Sequence, residues 1–294
     1  CILNNCIKIE QCKDNKNINE LIKYYNKYNI VESVKIEDIK NIKTITGHTG
    51  NFVYSLPAYS LLHLNDGRVA SCSSDKTIRI YDPSNDYHCD QVIKRHSKGI
   101  TSICQLDDGT IVSCSDDRTI MIGDYTIKNA HDDWIWKVIT LPNNRIASCS
   151  YDKTIKIWKS NPPYSDTPIK VLEGHSSDVN SLLYIKEKDV MISGSRDNDE
   201  TLRLWNMSTY QCDKVIEGVD CCFTNSLYQI DKDRVIVGGV NSFSIVNIDK
   251  CIIVENRIED ESLGDVDCFL KFRDNKTILC GCNNGIFCFY DMNT

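Results

Sequence analysis

The chain repeats itself, and that periodicity limits its possible folds more than any other feature. Ser71-Cys72-Ser73-Ser74-Asp75-Lys76-Thr77-Ile78-Arg79-Ile80-Tyr81 returns as Ser113-Cys114-Ser115-Asp116-Asp117-Arg118-Thr119-Ile120-Met121-Ile122-Gly123. It returns again from Ser148 to Trp158, and a fourth time from Ser193 to Trp205 with two extra residues at the turn, where Asp197 is read as the turn aspartate. Weaker copies run from Val237 to Asp249 and from Cys280 to Asp291. Measured at Cys72, Cys114, Cys149, Gly194, Gly239 and Gly281, the steps are 42, 35, 45, 45 and 42 residues. A period near 40 residues means one supersecondary unit per copy, each burying its apolar face against the next.

Within a unit, Ile78 and Ile80 alternate with polar residues, as in a strand with one buried face. Ser-x-Ser-x-Asp before them reads as a second strand ending in a tight turn. A third strand is expected upstream (Ile100–Gln105, Trp134–Thr140, Val179–Ile185) and a fourth downstream (Gln91–Lys94, Ile169–Leu172, Cys212–Ile216). Four strands per unit predict an all-β chain built of small antiparallel sheets.

Gly47-His48, Gly174-His175, Trp158 and Trp205, in these units, resemble the Gly-His and Trp-Asp dipeptides of WD repeats. The resemblance implies a WD-repeat β-propeller in which a His, a strand Ser, the turn Asp and the Trp form a buried polar cluster in each blade. Carried over here, the sets are His48/Ser71/Asp75, His96/Ser113/Asp117, His131/Ser148/Asp152/Trp158 and His175/Ser193/Asp197/Trp205. Tyr81 stands for Trp in the first, and Gly123 leaves the second without an indole. Blades are expected at 47–94, 95–130, 131–173, 174–216, 217–256 and 257–294. Residues 1–46 align as a partial further blade, with a helical insertion near 17–29, since Ile18, Leu21, Ile22 and Tyr25 have helical spacing. Because the chain opens on Cys1 inside that copy, it reads as a fragment or a processed chain of a seven-bladed ring. A six-bladed ring closed by Ile42–Thr46 beside Phe287–Tyr290 is the alternative.

Little catalytic chemistry is legible. His48, His96, His131 and His175 belong to the repeat, and His63 and His88 have no partner at ligand spacing. Neither Cys280-Gly281-Cys282 nor Cys221-Cys222 has zinc-site spacing, so neither a metal nor a cofactor is expected. Phosphate loops, nucleophile elbows and His-Glu-x-x-His are absent, and the chain reads as non-catalytic. A net charge of −7, spread along the sequence, argues against nucleic acid and anionic membranes, which need basic patches. No apolar run approaches the length of a membrane span. Several of the 16 cysteines, among them Cys72, Cys114 and Cys149, recur at one repeat position, and the set reads as mostly reduced packing residues of an intracellular, cytoplasmic protein.

A protein or peptide ligand is the expected partner, held by a monomeric domain or one part of a larger complex. In WD propellers the turn between second and third strands opens on the same face as the start of the first strand. That places Ser74, Asp116, Tyr151 and Arg196 at turns, and Asn51, Phe52, Lys98, Thr101, Asp133, Trp134, Trp136, Asp178 and Asn180 at strand starts, around one rim. Alternation puts Trp134 and Trp136 on one side of their strand with Ile135 inward. Two rim indoles beside Tyr151, Asp116, Asp133 and Asp178 suit a Lys- or Arg-bearing peptide. A substrate-recognition or regulatory domain of a larger enzyme or ubiquitin-ligase assembly, or a lattice or coat subunit, are the competing readings.

Overall fold

The computed structural model describes residues 47–48, 59–219, 221, 226–255, 264–271, 277–282 and 287–291. The expected partial blade and its helical insertion, and the rim positions Asn51 and Phe52, lie outside the described residues.

What is described is a succession of small antiparallel sheets in chain order, five of four strands and one of three. The first holds β1 (Ser60–His63), β2 (Val69–Cys72), β3 (Ile78–Asp82) and β4 (His88–Ile93). The second holds β5 (Ile100–Gln105), β6 (Ile111–Ser115), β7 (Ile120–Ile122) and β8 (Tyr125–Ile127). The third holds β9 (Ile135–Leu141), β10 (Arg145–Ser150), β11 (Ile155–Lys159) and β12 (Lys170–Leu172). In the fourth are β13 (Val179–Ile185), β14 (Val190–Ser195), β15 (Thr201–Asn206) and β16 (Cys212–Glu217). In the fifth are β17 (Leu227–Gln229), β18 (Arg234–Gly239), β19 (Ser242–Asn247) and β20 (Ile252–Glu255). The sixth has β21 (Val266–Lys271), β22 (Thr277–Cys282) and β23 (Phe287–Asp291).

Each sheet meets its successor through its first strand: β1 packs on β5, β5 on β9, β9 on β13, β13 on β17 and β17 on β21. The arrangement is propeller-like. Second strands add to the junctions, β2 on β5 and β10 on β13, and the small thiols of Cys72, Cys114 and Cys149 are fully buried there. Burial pushes the Cys72 and Cys149 thiols well up and that of Cys114 to about 12. Cys72, Cys114 and Cys149 are free thiols.

The repeat motif fixes each second-to-third-strand corner. In three copies the residue after the turn aspartate sits in the left-handed region, Lys76 at φ 69°, Arg118 at φ 67° and Lys153 at φ 71°. A serine two residues before the aspartate caps its backbone N–H, Ser73 on Asp75 at 3.1 Å and Ser150 on Asp152 at 3.0 Å. In the fourth copy the left-handed residue directly before the threonine is Glu200, at φ 44°. The two extra residues therefore precede the functional aspartate of that corner, which makes it Asp199.

Apolar packing crosses the junctions. Trp158, from β11, clusters with Ile120, Ile122, Ile127 and Val112 of the second sheet. Trp205, from β15, likewise clusters with Ile155, Ile157 and Leu172 of the third. Each indole thus covers the sheet before its own. Burying a side chain of that size contributes roughly 3 kcal/mol or more to each junction.

Candidate functional site

The internal polar clusters come first, because they hold the corners from which the rim residues project. His48 Nδ1 lies 2.9 Å from Asp75 Oδ2 and its Nε2 lies 2.7 Å from Ser71 Oγ. His131 repeats this with Asp152 at 2.8 Å and Ser148 at 2.8 Å, and His96 with Asp117 at 3.1 Å and Ser113 at 2.8 Å. A carboxylate only accepts, so Nδ1 carries the proton, Nε2 accepts from the serine hydroxyl, and the serine oxygen is left to accept. Trp158 Nε1 donates to Ser148 Oγ at 2.8 Å, and Trp205 Nε1 to Ser193 Oγ at 2.8 Å. In the first sheet the Tyr81 hydroxyl bonds to Ser71 instead. Burial lowers the His48, His131 and His175 pKa values, with their aspartates pulling the other way, so these rings are neutral near pH 7. Burial works to raise the Asp152 carboxyl but is outweighed by its hydrogen bonds to His131, Thr154 and the Asp132 N–H, so it titrates well below the usual range.

The fourth cluster corrects the sequence reading. His175 Nδ1 bonds Asp199 Oδ1 at 3.1 Å and its Nε2 bonds Ser193 at 2.7 Å. Asp197, expected in this place, is largely exposed and only approaches Arg196, at 3.6 Å. Spacing explains it: Asp75, Asp117 and Asp152 each stand two residues before a threonine, and so does Asp199 before Thr201. That threonine was itself missed. Thr77, Thr119 and Thr154 each donate to their aspartate at 2.6 Å, and their fixed recurrence was the available signal.

At the corner end of the third sheet, Ile135 is fully buried while Trp134 is 45% exposed and Tyr151 46%. The Trp134 and Trp136 rings meet edge-on at 6.2 Å, and Trp134 and Tyr151 lie 6.2 Å apart at 54°. Tyr151 N–H donates to the Trp134 carbonyl at 2.9 Å, fixing the two side by side. Asp133 is committed locally, accepting the Trp134 N–H at 2.8 Å.

Trp136 is differently placed. It is half-buried, donates Nε1–H to Asp178 Oδ2 at 3.1 Å, and carries Arg196 over its ring at 5.5 Å. Arg196 Nε is also 3.1 Å from Asp178 Oδ2. Asp178, expected on the solvent rim, is only 3% exposed, its charge met by Arg196 and the indole N–H. Thr101 and Asn180 are likewise buried rather than exposed. Each is tied to a neighbouring sheet or loop, Thr101 Oγ1 donating to the Ile135 carbonyl at 2.6 Å and Asn180 Nδ2 to that of Cys221 at 2.5 Å. Asp116 is half-buried and burial raises its carboxyl to about 6, with the exposed Lys98 pulling the other way. The structure brings together Trp134, Trp136, Tyr151, Asp133, Asp178 and Arg196, while Asp116 and Lys98 belong to the second sheet's corner.

Among the described residues no group of three or more His, Cys, Asp or Glu side chains could hold a metal ion. No helix among them is long and apolar enough to cross a membrane.

Comparison with known proteins agrees with the geometry. A 92-residue stretch is 32% identical to nuclear distribution protein nudF of Aspergillus niger, covering 31% of this chain and 20% of that protein. Over 59 residues the chain is 36% identical to the nudF proteins of Aspergillus flavus and Aspergillus oryzae, covering 20% of this chain and 12% of each. The matched stretches thus span a fifth or less of those relatives' length. The pattern of the WD domain, G-beta repeat, matches residues 39–82, 87–124, 125–159 and 166–206, more than half of the sequence. The chain therefore belongs to the WD-repeat family.

Proposed function

We propose that this chain is a non-catalytic scaffold that holds a protein or peptide on the corner face, with Trp134 and Tyr151 as its anchors. The supporting observation is the exposure of two large aromatics fixed side by side on a rigid strand end. Exposed aromatics preorganised in this way contribute disproportionately to protein interfaces. Arg196 already occupies the Trp136 face, so a Lys- or Arg-bearing partner would use Trp134 and Tyr151, where a cation–π contact stabilises by about 0.5–2 kcal/mol. Trp136, Asp178 and Arg196 brace the platform from beneath. The ring is proposed to have seven blades with the boundaries set out above, residues 1–46 contributing to the seventh.

Affinity capture from the native lysate tests the reading. Trp134→Ala should weaken partner retention by about 2 kcal/mol, roughly 30-fold, with folding unchanged. Ile169→Ala, an exposed apolar change elsewhere on the third repeat, should not. Equal retention by Trp134→Ala and wild type, or unfolding of Trp134→Ala, would defeat it.

A further inference from the structure

The junction between the first and second sheets differs from those that follow. Behind Trp158 lie Leu106, Ile120, Ile122, Ile127, Ile135 and Ile146, and its indole N–H reaches Ser148. One repeat earlier the counterparts are Leu64, Ile78, Ile80, Ile93, Ile100 and Ile111, and all six line a cavity of about 470 Å³. The residue matching Trp158 is Gly123, at φ 54°, where the chain turns at once from β7 into β8. Ser113, matching Ser148, also lines the cavity. It meets His96 Nε2 at 2.8 Å, as Ser148 meets His131, but has no tryptophan of its own repeat to donate to it.

We propose that this cavity is a binding site for the tryptophan side chain of a partner segment, seated as Trp158 and Trp205 are seated at their junctions and donating its indole N–H to Ser113. Apolar cavities of about 150 Å³ already take up a benzene ring. At about 470 Å³ this one has room for an indole and for main chain at its mouth. The mouth is framed by the first-to-second-strand turns (Asp66, Thr110) and the third-to-fourth-strand turn (Asp124). Antiparallel pairing puts these at the end opposite the Asp75 and Asp117 corners, so the site is separate from the Trp134 face. Charges at the mouth are paired internally, Arg68 with Asp66 at 2.7 Å and Arg95 with Asp124. A neutral aromatic anchor suits such a mouth better than a charged one.

The probes are N-acetyl-tryptophanamide, its 1-methylindole analogue, N-acetyl-phenylalaninamide and free indole, followed by ligand-detected NMR and calorimetry on the whole chain. The tryptophanamide should bind at least about tenfold more tightly than the other two amides. Ser113→Ala should remove its advantage over the 1-methyl analogue. Because that change disturbs the His96 cluster, Ile111→Trp, which fills the mouth from a half-buried position, provides the second test and should abolish binding. Trp134→Ala should leave binding unchanged, separating this site from the corner face. Equal binding of tryptophanamide and its 1-methyl analogue, retention of binding in folded Ile111→Trp, uptake of free indole alone, or no binding at all would each overturn the proposal.

Discussion

Replacing Asp199 by alanine, with Asp197→Ala as its partner experiment, tests the register of the fourth corner directly. Asp199 accepts from His175 Nδ1 at 3.1 Å, from Ser176 Oγ at 3.0 Å, and from Ser176 N–H and Thr201 Oγ1. Its side chain is 3% exposed and that of His175 1%, so deletion strands a buried ring donor without its acceptor. An orphaned buried donor costs about 1–3 kcal/mol, and each hydrogen bond to a charged group contributes about 1.5–3. Since the four share one acceptor they do not add, and about 3 kcal/mol is the expected loss. At about 2–4 °C per kcal/mol for a domain of this class, the thermal midpoint should fall by roughly 6–12 °C. Asp197 is 64% exposed and 3.6 Å from Arg196, so its removal should stay within about 0.5 kcal/mol. Calorimetry, with hydrogen exchange to localise the loss to β14 and β15, measures both. Equal losses, or a larger loss at Asp197, would refute the assignment of the extra residues to the position before the aspartate.

Trp158→Phe keeps the aromatic bulk but removes the N–H that reaches Ser148, and should cost about 2 kcal/mol by denaturant titration. Asp116 titrates at about 6 against an ordinary 3.8; a carboxyl raised on folding contributes stability below 3.8 that disappears as pH rises through 6. Asp116→Asn should therefore raise the denaturation midpoint relative to wild type at pH 7.5 and leave it unchanged near pH 4. Buried His48, His131 and His175 have lowered pKa values, so the stability they contribute above 6.5 should decline as pH falls below it, seen as a dropping midpoint between pH 7 and 5. Cys72, Cys114 and Cys149 should resist a thiol reagent in the native state and react on unfolding, as mass spectrometry of labelled peptides would show.

Strand positions and three of the four polar clusters were legible in the sequence because each is set by local spacing within one repeat. The fourth failed only where the aspartate was counted forward from Ser193; counting back from Thr201 gives Asp199. Exposure was less legible, since it depends on neighbouring sheets and loops. Ile135 and Trp134 followed strand alternation, whereas Asp178 was buried by an ion pair with Arg196, 18 residues along the chain. Gly123 announced a missing indole, but not whether the neighbouring sheets would close over the space, which they do not.

The way Trp158 and Trp205 reach backwards has an effect on how the chain comes together. Covalently each belongs to its own repeat, yet each completes the apolar face of the repeat made before it. During synthesis, a newly made sheet stays half-clothed until its successor's aromatic emerges, so the cooperative folding unit is displaced from the sequence motif and straddles two copies.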